Sequence, residues 1–301
     1  MANITLTEVG DSLATIIAAQ ALGYLKANTV LARLVARNWE NLVAQRGQKV
    51  RIPFTGSLTV NDKAANTAVL RQTPNDTFVE VTLNKHKEIT FLIEDVARAL
   101  SSVDYLNAYL ADGLLVMGEQ IDSDLAALYS GFSQTIDASG ANGPLDKNDF
   151  REARRLLNAA KAPQSDRFAV LHEDAESDYL NIAEAINRDY AESLGQARAE
   201  GSSGRFYGFD VFMDQKIAVA TGICKNLFFQ RNAMVLVTRP LDSAGDGMGV
   251  VQKVMEEDGV GIRVTLGYDK DQLGIQCTID TLYGVAELRD SHGIVVSTTE
   301  K

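Results

Sequence analysis

The residue types that most often carry catalysis or bind metals are few in this chain and poorly spaced for either task. None of the three histidines has a second histidine or a cysteine at the spacing of a metal-ligand pair; they are His86, His172 and His292. Cys224 and Cys277 lie far apart and are predicted to be reduced, buried thiols. The sequence therefore predicts neither a zinc site nor a catalytic histidine.

Two glycine-containing loops also lack the features of a nucleotide or calcium site. Residues 201–204 read Gly-Ser-Ser-Gly, without the preceding strand and following helix that a phosphate loop or a nucleophile elbow needs. Residues 242–247 match half of a calcium loop. However, Ala244 and Lys253 stand at positions where that loop needs carboxylates. We predict no cofactor and no metal.

One pair of carboxylates is brought together by its spacing. Glu119 and Asp122 are three residues apart in a predicted helix, which places them on the same helix face. Two such groups can act as acid and base, but no cofactor motif or nucleophile accompanies them. We expect both side chains to face solvent or a neighbouring subunit, and we predict no enzymatic activity.

The helix that carries this pair is the strongest pattern in the sequence. Apolar residues recur at steps of three and four between residues 101 and 132, which is the period of an amphipathic helix. This apolar face consists of Val103, Leu106, Leu110, Leu114, Met117, Ile121, Leu125, Leu128 and Phe132. Ser101 or Ser102 can cap its start, and Gly131 is expected to end it. A helix of roughly 30 residues is about 45 Å long, so we expect it to act as a spine for the subunit.

The N-terminal part supplies two elements with apolar surface that one subunit alone leaves uncovered. Residues 11–45 show a looser helical pattern that includes Trp39, the only tryptophan. Apolar and polar residues then alternate, with the pattern resuming at Leu58 and Val60 and again at 79–83. This predicts a long two-stranded ribbon with an extended tip. Because a lone ribbon is marginally stable in water, we expect it to lie on a neighbouring molecule.

The remaining sequence mixes helices and strands, which predicts an α+β fold. Helices are predicted at 146–160 and 174–188. Strands are predicted at 89–93, 167–171, 209–213, 226–230, 234–238, 250–254, 262–266, 276–279, 283–288 and 294–296. A glycine-containing loop at 139–144 predicts a boundary between two units.

Composition limits the possible partners. The 301 residues carry a net charge of −11, which argues against a surface built to grip nucleic acid. Residues 1–49 are mildly basic, so this arm either docks onto an acidic partner or remains solvated. No apolar run is long enough to span a membrane. The N-terminus lacks the pattern of a signal peptide, so we expect synthesis in the cytoplasm.

Taken together, the order of these elements resembles a known family. The resemblance is carried by GQKVRIPF at 47–54, LTVN at 58–61, KHKEITFLIED at 85–95, Ile121-Asp122, GRFYGFDVF at 204–212 and DTLYGVA at 280–286. In these segments the chain resembles the major capsid proteins of tailed bacteriophages with the HK97-type fold, and within them the P22 coat-like group. The resemblance covers nearly the whole chain and depends on the order and spacing of the segments.

The resemblance implies an HK97-like division of the chain. The implied units are an N-terminal arm at 1–46, an extended hairpin called the E-loop at 47–88, a peripheral or P-domain with the spine helix at 89–138, an axial or A-domain at 139–249, a return to the P-domain at 250–284 and a C-terminal A-domain segment at 285–301.

The family also implies a function. Its members assemble as hexamers and pentamers into an icosahedral head around double-stranded DNA, which they enclose without sequence-specific binding. The implied partners are other copies of the chain, a scaffolding protein, a portal protein and, in some members, a cement protein. The implied location is the virion capsid, after synthesis in the host cytoplasm. No membrane partner and no cofactor are implied.

Within this interpretation the important residues lie at subunit interfaces. We expect Arg51, Lys63 and Arg71 on the ribbon to meet acidic residues of a neighbour, and Trp39 to anchor the arm. Glu119 and Asp122 complete the predicted interface set. Two alternatives stay open, namely an encapsulin-type nanocompartment, which shares the fold but packages enzymes, and a soluble α+β enzyme with an unrecognised site.

Overall fold

The computed structural model describes residues 19, 29–37, 49–54, 58–73, 77–95, 105–140, 142–182, 204–243, 250–257 and 260–301. The helices are α1 (Leu31–Leu34), α2 (Tyr105–Ala126), α3 (Lys147–Ala159) and α4 (Glu173–Tyr179). The strands are β1 (Lys49–Phe54), β2 (Thr77–Thr82), β3 (Lys85–Glu94), β4 (Thr135–Asp137), β5 (Arg167–Leu171), β6 (Arg205–Phe206), β7 (Phe209–Met213), β8 (Val219–Ala220), β9 (Ile223–Gln230), β10 (Met234–Thr238), β11 (Val250–Glu257), β12 (Val260–Asp269), β13 (Gly274–Glu287) and β14 (Gly293–Thr299).

A five-stranded antiparallel sheet is built around β13. One edge of β13 pairs with β3, from Gly274 opposite Glu94 to Tyr283 opposite Lys85. Its other edge pairs first with β12 and then with β10, and β11 pairs with β12. The five strands come from three separate parts of the chain, so β13 is the strand that holds these parts together.

The continuity of β13 corrects the sequence prediction. Separate strands were expected at 276–279 and 283–288, but residues 274–287 form one strand. The polar residues between the two predicted strands do not interrupt it because they are buried and bonded. Asp280 binds the Arg263 guanidinium, and Thr281 donates to the Gly261 carbonyl.

A second, seven-stranded sheet has the order β4-β14-β9-β5-β7-β6, with β8 also paired to β9. β14 with β4 and β5 with β7 are parallel pairs, and the other pairs are antiparallel. Strand β5 is buried along its whole length, as its sequence RFAVL predicts. Its side chains alternate between two cores, since Phe168 and Val170 face one and Ala169 and Leu171 face the other.

The predicted spine helix is present as α2, followed by a 3₁₀ turn at Ala127–Gly131. Its predicted apolar residues are buried in the larger core at Leu114, Met117, Ile121 and Leu125. Gly113 allows a close approach to β3, because a Cβ atom there would lie 3.2 Å from the Ile89 side chain. The predicted caps Ser101 and Ser102 lie outside the described residues.

The predicted ribbon is present at its base and differs at its tip. β1 pairs with β2 in antiparallel register, from Lys49 opposite Thr82 to Phe54 opposite Thr77. The predicted return to strand at Leu58 and Val60 is wrong, since residues 58–73 form no strand. A reason is visible at Thr59, whose backbone N–H donates to the Gln72 side chain and not to an opposing backbone.

The helix predicted at 146–160 is present as α3, whose N-terminal cap, Asp146, forms a capping box with Asp149. The other two predicted helices are found only in part. The helix predicted at 174–188 is observed as α4, and residues 183–203 lie outside the described part of the chain. Within the predicted arm helix at 11–45, the structure describes α1, while Trp39 lies outside the described residues.

The chain changes from the seven-stranded to the five-stranded sheet at the 3₁₀ turn Arg231–Ala233, between β9 and β10. It returns to the seven-stranded sheet after Glu287, with β14. Strand β10 therefore belongs to the sheet of the spine helix, although it precedes the boundary expected at residue 249. Among the described residues, no helix combines the length and apolar character needed to cross a membrane.

A tight contact between the ribbon and β13, at Gly284, gives a stability prediction. A Cβ atom at Gly284 would overlap the Thr82 carbonyl oxygen, which is backbone and cannot rotate away. We expect Gly284→Ala to lower the free energy of unfolding by about 1 to 3 kcal/mol, as measured by urea denaturation of the unassembled chain.

Gly267→Ala is the matched control in the neighbouring strand. Its Cβ atom would lie 3.1 Å from Val250 Cγ1, a side-chain atom that can shift. We expect this variant to unfold within about 0.5 kcal/mol of the wild type. Equal destabilisation by both substitutions would contradict the account of the ribbon base.

Candidate functional site

The ribbon is anchored at its base by a small apolar core of its own. The buried side chains of this core are Val50, Ile52, Val81, Leu83, Val235, Val237 and Leu288. They come from β1, β2, β10 and the segments that flank them, so the ribbon base packs against the five-stranded sheet. The Arg289 guanidinium also lies over the Phe54 ring, 4.9 Å from its centre. The base of the ribbon is therefore held against the body of the subunit by its packing.

The exposed face of the ribbon base carries a charge cluster. Glu80 Oε2 lies 2.8 Å from Lys49 Nζ, and Glu80 Oε1 lies 2.9 Å from Arg51 Nη2. Hydrogen bonds from Lys49 and then Arg51 hold the pKa of the Glu80 carboxyl below its usual value. The Arg51 guanidinium also lies 4.8 Å from the centre of the Phe78 ring. Arg51, predicted to meet an acidic neighbour, already has an acidic partner within the chain.

The ribbon tip, residues 58–73, exposes several large apolar side chains. Four large side chains there are exposed: Leu58 at 66%, Val60 at 100%, Val69 at 70% and Leu70 at 74%. The tip is held in shape by polar bonds, in which Gln72 accepts from Thr59 N–H and donates to the Thr59 carbonyl. Exposed apolar groups that lie together on one loop are typical of a surface that binds another protein.

The two predicted cations of the tip differ in their bonding. Lys63 Nζ donates to the Ala64 carbonyl and to Thr67 Oγ1, so it helps to shape the loop. It also lines a shallow concave surface of about 450 Å³ on the tip. Arg71 is exposed and has no ion-pair partner among the residues that the structure describes. Of the three predicted ribbon cations, Arg51 has an acidic partner, whereas Lys63 bonds only to neutral groups, so the charges of Lys63 and Arg71 both remain available.

Asp122 does not lie where the sequence predicted. Its side chain is 2% exposed, so the expectation of a solvent- or subunit-facing position is wrong. Asp122 Oδ2 accepts from Val30 N–H at 2.6 Å, and Oδ1 accepts from Ala32 N–H at 2.9 Å. The carboxylate thus binds the backbone at the start of α1 and fixes this part of the arm to the spine helix. Helical spacing alone could not reveal a partner 90 residues away.

Glu119 and Asp122 do not form an acid–base pair. Glu119 extends to Lys216, with 2.9 Å between Oε2 and Nζ, while Asp122 faces α1. Burial raises the pKa of the Asp122 carboxyl to about 7, although the bonds from Val30 and Ala32 favour its charged form. Nearby, burial also raises the pKa of Asp214. Glu119 and Asp122 each join separate segments of the chain, whereas Asp214 accepts from Lys216 N–H two residues away.

A second buried carboxylate, Asp280, was missed as a functional group by sequence reasoning. Its oxygens accept from Arg263 Nε at 3.0 Å and from Arg263 Nη2 at 2.9 Å, and His86 Nε2 lies 3.0 Å from Oδ2. This cluster joins β3, β12 and β13 across the centre of the five-stranded sheet. An acidic residue between two predicted strands was the available signal, but it did not identify the partners.

A third cluster brings together residues that the sequence treated as isolated. A ring nitrogen of His172, an Asp174 carboxylate oxygen and Cys224 Sγ all lie within 4.8 Å of one another. His172 begins α4, where its ring accepts from Asp174 N–H, and Cys224 lies in β9. Burial, followed by the negative charges of Asp174 and Glu300, raises the pKa of the Cys224 thiol to about 11. No spacing rule links position 172 to position 224.

Known proteins resemble this chain in structure. No family model and no curated protein sequence matches the chain. A structure from Mycobacterium phage Che8 matches with a TM-score of 0.66 and 20% identity, covering 89% of this chain and 90% of that chain. The capsid structure of the cyanophage P-SCSP1u matches with a TM-score of 0.60 and 15% identity, covering 85% of each chain.

An encapsulin also matches. The holo-SrpI encapsulin complex from Synechococcus elongatus has a TM-score of 0.51 and 16% identity, with 85% of this chain and 84% of that chain covered. At these identities the comparisons establish the fold, which is the HK97-type fold of phage capsid proteins. The predicted α+β class and HK97-like architecture are confirmed. The narrower placement in the P22 coat-like group stays a prediction, as does the division into domains.

The burial of Asp122 predicts a pH-dependent stability. Because its pKa is raised from 3.8 to about 7, its contribution is fully present at low pH and is lost as the pH rises through about 7. Between about pH 5 and 7, the wild type should lose stability relative to Asp122→Asn, by at most about 1.4 kcal/mol per pH unit. Urea denaturation of the unassembled chain at each pH measures this difference.

Asp112→Asn provides the control, because it neutralises an exposed carboxyl on the same helix. We expect its stability to follow the wild-type curve with pH. The explanation fails if Asp122→Asn also follows the wild-type curve.

Proposed function

We propose that this chain is the structural subunit of a phage head, assembling as hexamers and pentamers into an icosahedral shell around double-stranded DNA. The observation that carries the proposal is the HK97-type fold over most of the chain, combined with a projecting ribbon whose apolar tip is left exposed. The proposed role is mechanical, and it requires no catalytic group.

The ribbon tip supports this proposal because exposing its large apolar side chains to water is unfavourable for an isolated subunit. Val60 and Leu70 expose most of their surface, although burying one such side chain is worth about 1.5 to 3 kcal/mol. The polar bonds of Thr59 and Gln72 maintain the tip without covering these side chains. A neighbouring subunit that receives the tip would gain this burial without first ordering the loop.

The charges of the chain indicate which kind of surface the tip would contact. Arg71 stands beside the exposed Leu70, and the chain as a whole carries a net charge of −11. An acidic neighbour of the same sequence therefore offers Arg71 a partner, whereas Arg51 is retained by Glu80. Glu119 and the undescribed Trp39 stay proposed interface residues. Asp122 is excluded from this set by its burial.

The net charge also fits the enclosed cargo. A negatively charged wall repels packed DNA, so the genome would be confined by the shell and not bound to it. As in the resembling family, we propose a scaffolding protein for assembly, a portal protein at one vertex and, optionally, a cement protein. Assembly would take place in the host cytoplasm, with the finished protein in the virion capsid.

An encapsulin-type compartment is the second candidate, because the encapsulin match covers a similar share of the chain. The two functions differ in what the shell encloses and in the neighbouring genes. Terminase and portal genes would favour a phage head, whereas an enzyme cargo gene would favour a compartment. A monomeric state in solution and a deep substrate pocket would favour an enzymatic role for the chain itself.

Expression in a bacterial host tests shell formation. We expect negative-stain electron microscopy to show closed shells or shell fragments when the chain is produced alone or together with the product of its upstream neighbouring gene. Shells that need the second protein would identify it as the scaffold. A monodisperse monomer at high concentration in both samples would refute the shell proposal.

Substitutions at the tip test the proposed contact. We expect Val60→Asp and Leu70→Asp to abolish assembly, because each places a charge where a neighbour should bury an apolar side chain. Both residues are exposed, so the stability of the unassembled subunit should change by less than about 0.5 kcal/mol. Sedimentation velocity measures the assembly, and urea denaturation measures the stability.

Ala65→Asp is the control for charge alone, since it adds the same charge to the same loop without removing a large apolar side chain. We expect this variant to assemble. Normal assembly of both Val60→Asp and Leu70→Asp would show that the tip does not make the contact.

A further inference from the structure

We propose that His172, Asp174 and Cys224 bind one Zn²⁺ ion, with a water molecule as the fourth ligand. The three side chains supply an imidazole nitrogen, a carboxylate oxygen and a sulfur atom, which are the donor types that zinc prefers. This inference concerns the seven-stranded sheet and is independent of the proposed shell function.

The distances are close to those of a zinc site. His172 Nδ1 lies 3.5 Å from Asp174 Oδ2, and all three donor atoms lie within 4.8 Å of one another. Donor atoms around tetrahedral zinc are about 3.3 to 3.8 Å apart, as follows from bond lengths of about 2.0 to 2.3 Å. The histidine–carboxylate pair already meets this condition. The thiol lies no more than about 1 Å beyond this range.

The backbone around the cluster is firmly positioned. Asn226 is fully buried, and its Oδ1 accepts from His172 N–H at 2.8 Å. The Asn226 amide also donates to Thr298 Oγ1 at 2.9 Å and to the Val296 carbonyl at 3.1 Å. In the pairing of β9 with β14, Cys224 lies opposite Thr298. The Asn226 side chain, in β9, thus fixes the backbone of His172 relative to β9 and β14.

The local charge favours a cation. Asp174, Glu300 and Glu173 all act on Cys224 as negative charges. Asp174 Oδ2 receives the backbone N–H of Lys301, whereas Lys301 Nζ pairs with Asp178. A divalent ion would offset this negative charge and allow the thiol to bind as thiolate, releasing its proton to solvent.

Zinc binding would replace two hydrogen bonds of the metal-free cluster. His172 Nδ1 accepts from Asp174 N–H at 3.3 Å, and the same lone pair would bind the ion and leave that N–H to water. The Cys224 thiol is hydrogen-bonded to Thr298 and would exchange this bond for the metal. His172 and Cys224 are buried and Asp174 is only partly so, so an ion and its water would enter from the Asp174 side.

Metal binding to the full-length chain tests the site. The reduced protein is stripped with a chelator, incubated with Zn²⁺ and passed through a desalting column, and its zinc content is measured by mass spectrometry. A second sample receives Co²⁺ in place of Zn²⁺. We expect about one zinc per chain and, with Co²⁺, a thiolate-to-metal charge-transfer band with the visible bands of four-coordinate cobalt.

The variants separate the site from other binding. Cys224→Ser removes the sulfur donor, and His172→Asn removes the imidazole while keeping a side chain that caps helices well. We expect both to lower zinc affinity by tenfold or more and Cys224→Ser to abolish the charge-transfer band, since even an outer-shell change costs about 10- to 100-fold. Cys277→Ser, at the other buried thiol, should bind metal as the wild type does.

Thermal unfolding gives a third readout. Zn²⁺ should raise the Tm of the wild type and of Cys277→Ser, and leave the Tm of Cys224→Ser and His172→Asn unchanged. The proposal is overturned if the wild type holds no zinc after desalting. It is also overturned if Cys224→Ser and His172→Asn bind the metal as well as Cys277→Ser does.

Discussion

The pairing of β13 along both of its edges is the constraint on which the rest of the structure depends. One edge receives β3, which leads out of the ribbon and towards α2, and the other receives β12 and β10. The same strand carries Gly284 at the point where the ribbon base crosses it. Asp280, in the middle of β13, is bound by Arg263 and contacts His86, so the charges of three strands meet there. The position of the spine helix and the direction of the ribbon both follow from this one strand.

The subunit combines a body with packed cores and a ribbon tip that is exposed. The ribbon base has its own buried core, whereas the tip has only polar bonds within the loop and exposes its largest apolar side chains. A subunit of this kind is complete in its sheets and incomplete at its tip. In a shell of HK97-type subunits, contact between copies would cover the apolar side chains that the tip of one copy leaves exposed. Asp122, in contrast, makes its contacts within one chain, where it joins the arm to the spine helix.

Local periodicity was enough to predict much of the fold. The spine helix, the ribbon base and most strands of both sheets follow patterns that repeat within a few residues. The resemblance to capsid proteins then indicated how these elements are arranged in one fold. The errors arose where a distant partner decides the outcome. Asp122 was assigned to a polar helix face because its partners lie in α1, and β13 was divided because the burial of Asp280 depends on Arg263. The cluster of His172, Asp174 and Cys224 could not be predicted, since β9 and the start of α4 become neighbours only in the folded sheet.

The most direct test of the central claim is a cryo-electron microscopy map of the particles formed by the wild-type chain. The account predicts closed shells in which residues 58–73 of each subunit lie on the adjacent subunit, with Val60 and Leu70 buried in the contact. It also predicts that the ribbon base keeps its packing against β10 and β13. Shells in which these side chains remain in solvent would contradict the assigned role of the ribbon. A protein that stays monomeric under all assembly conditions would contradict the account as a whole.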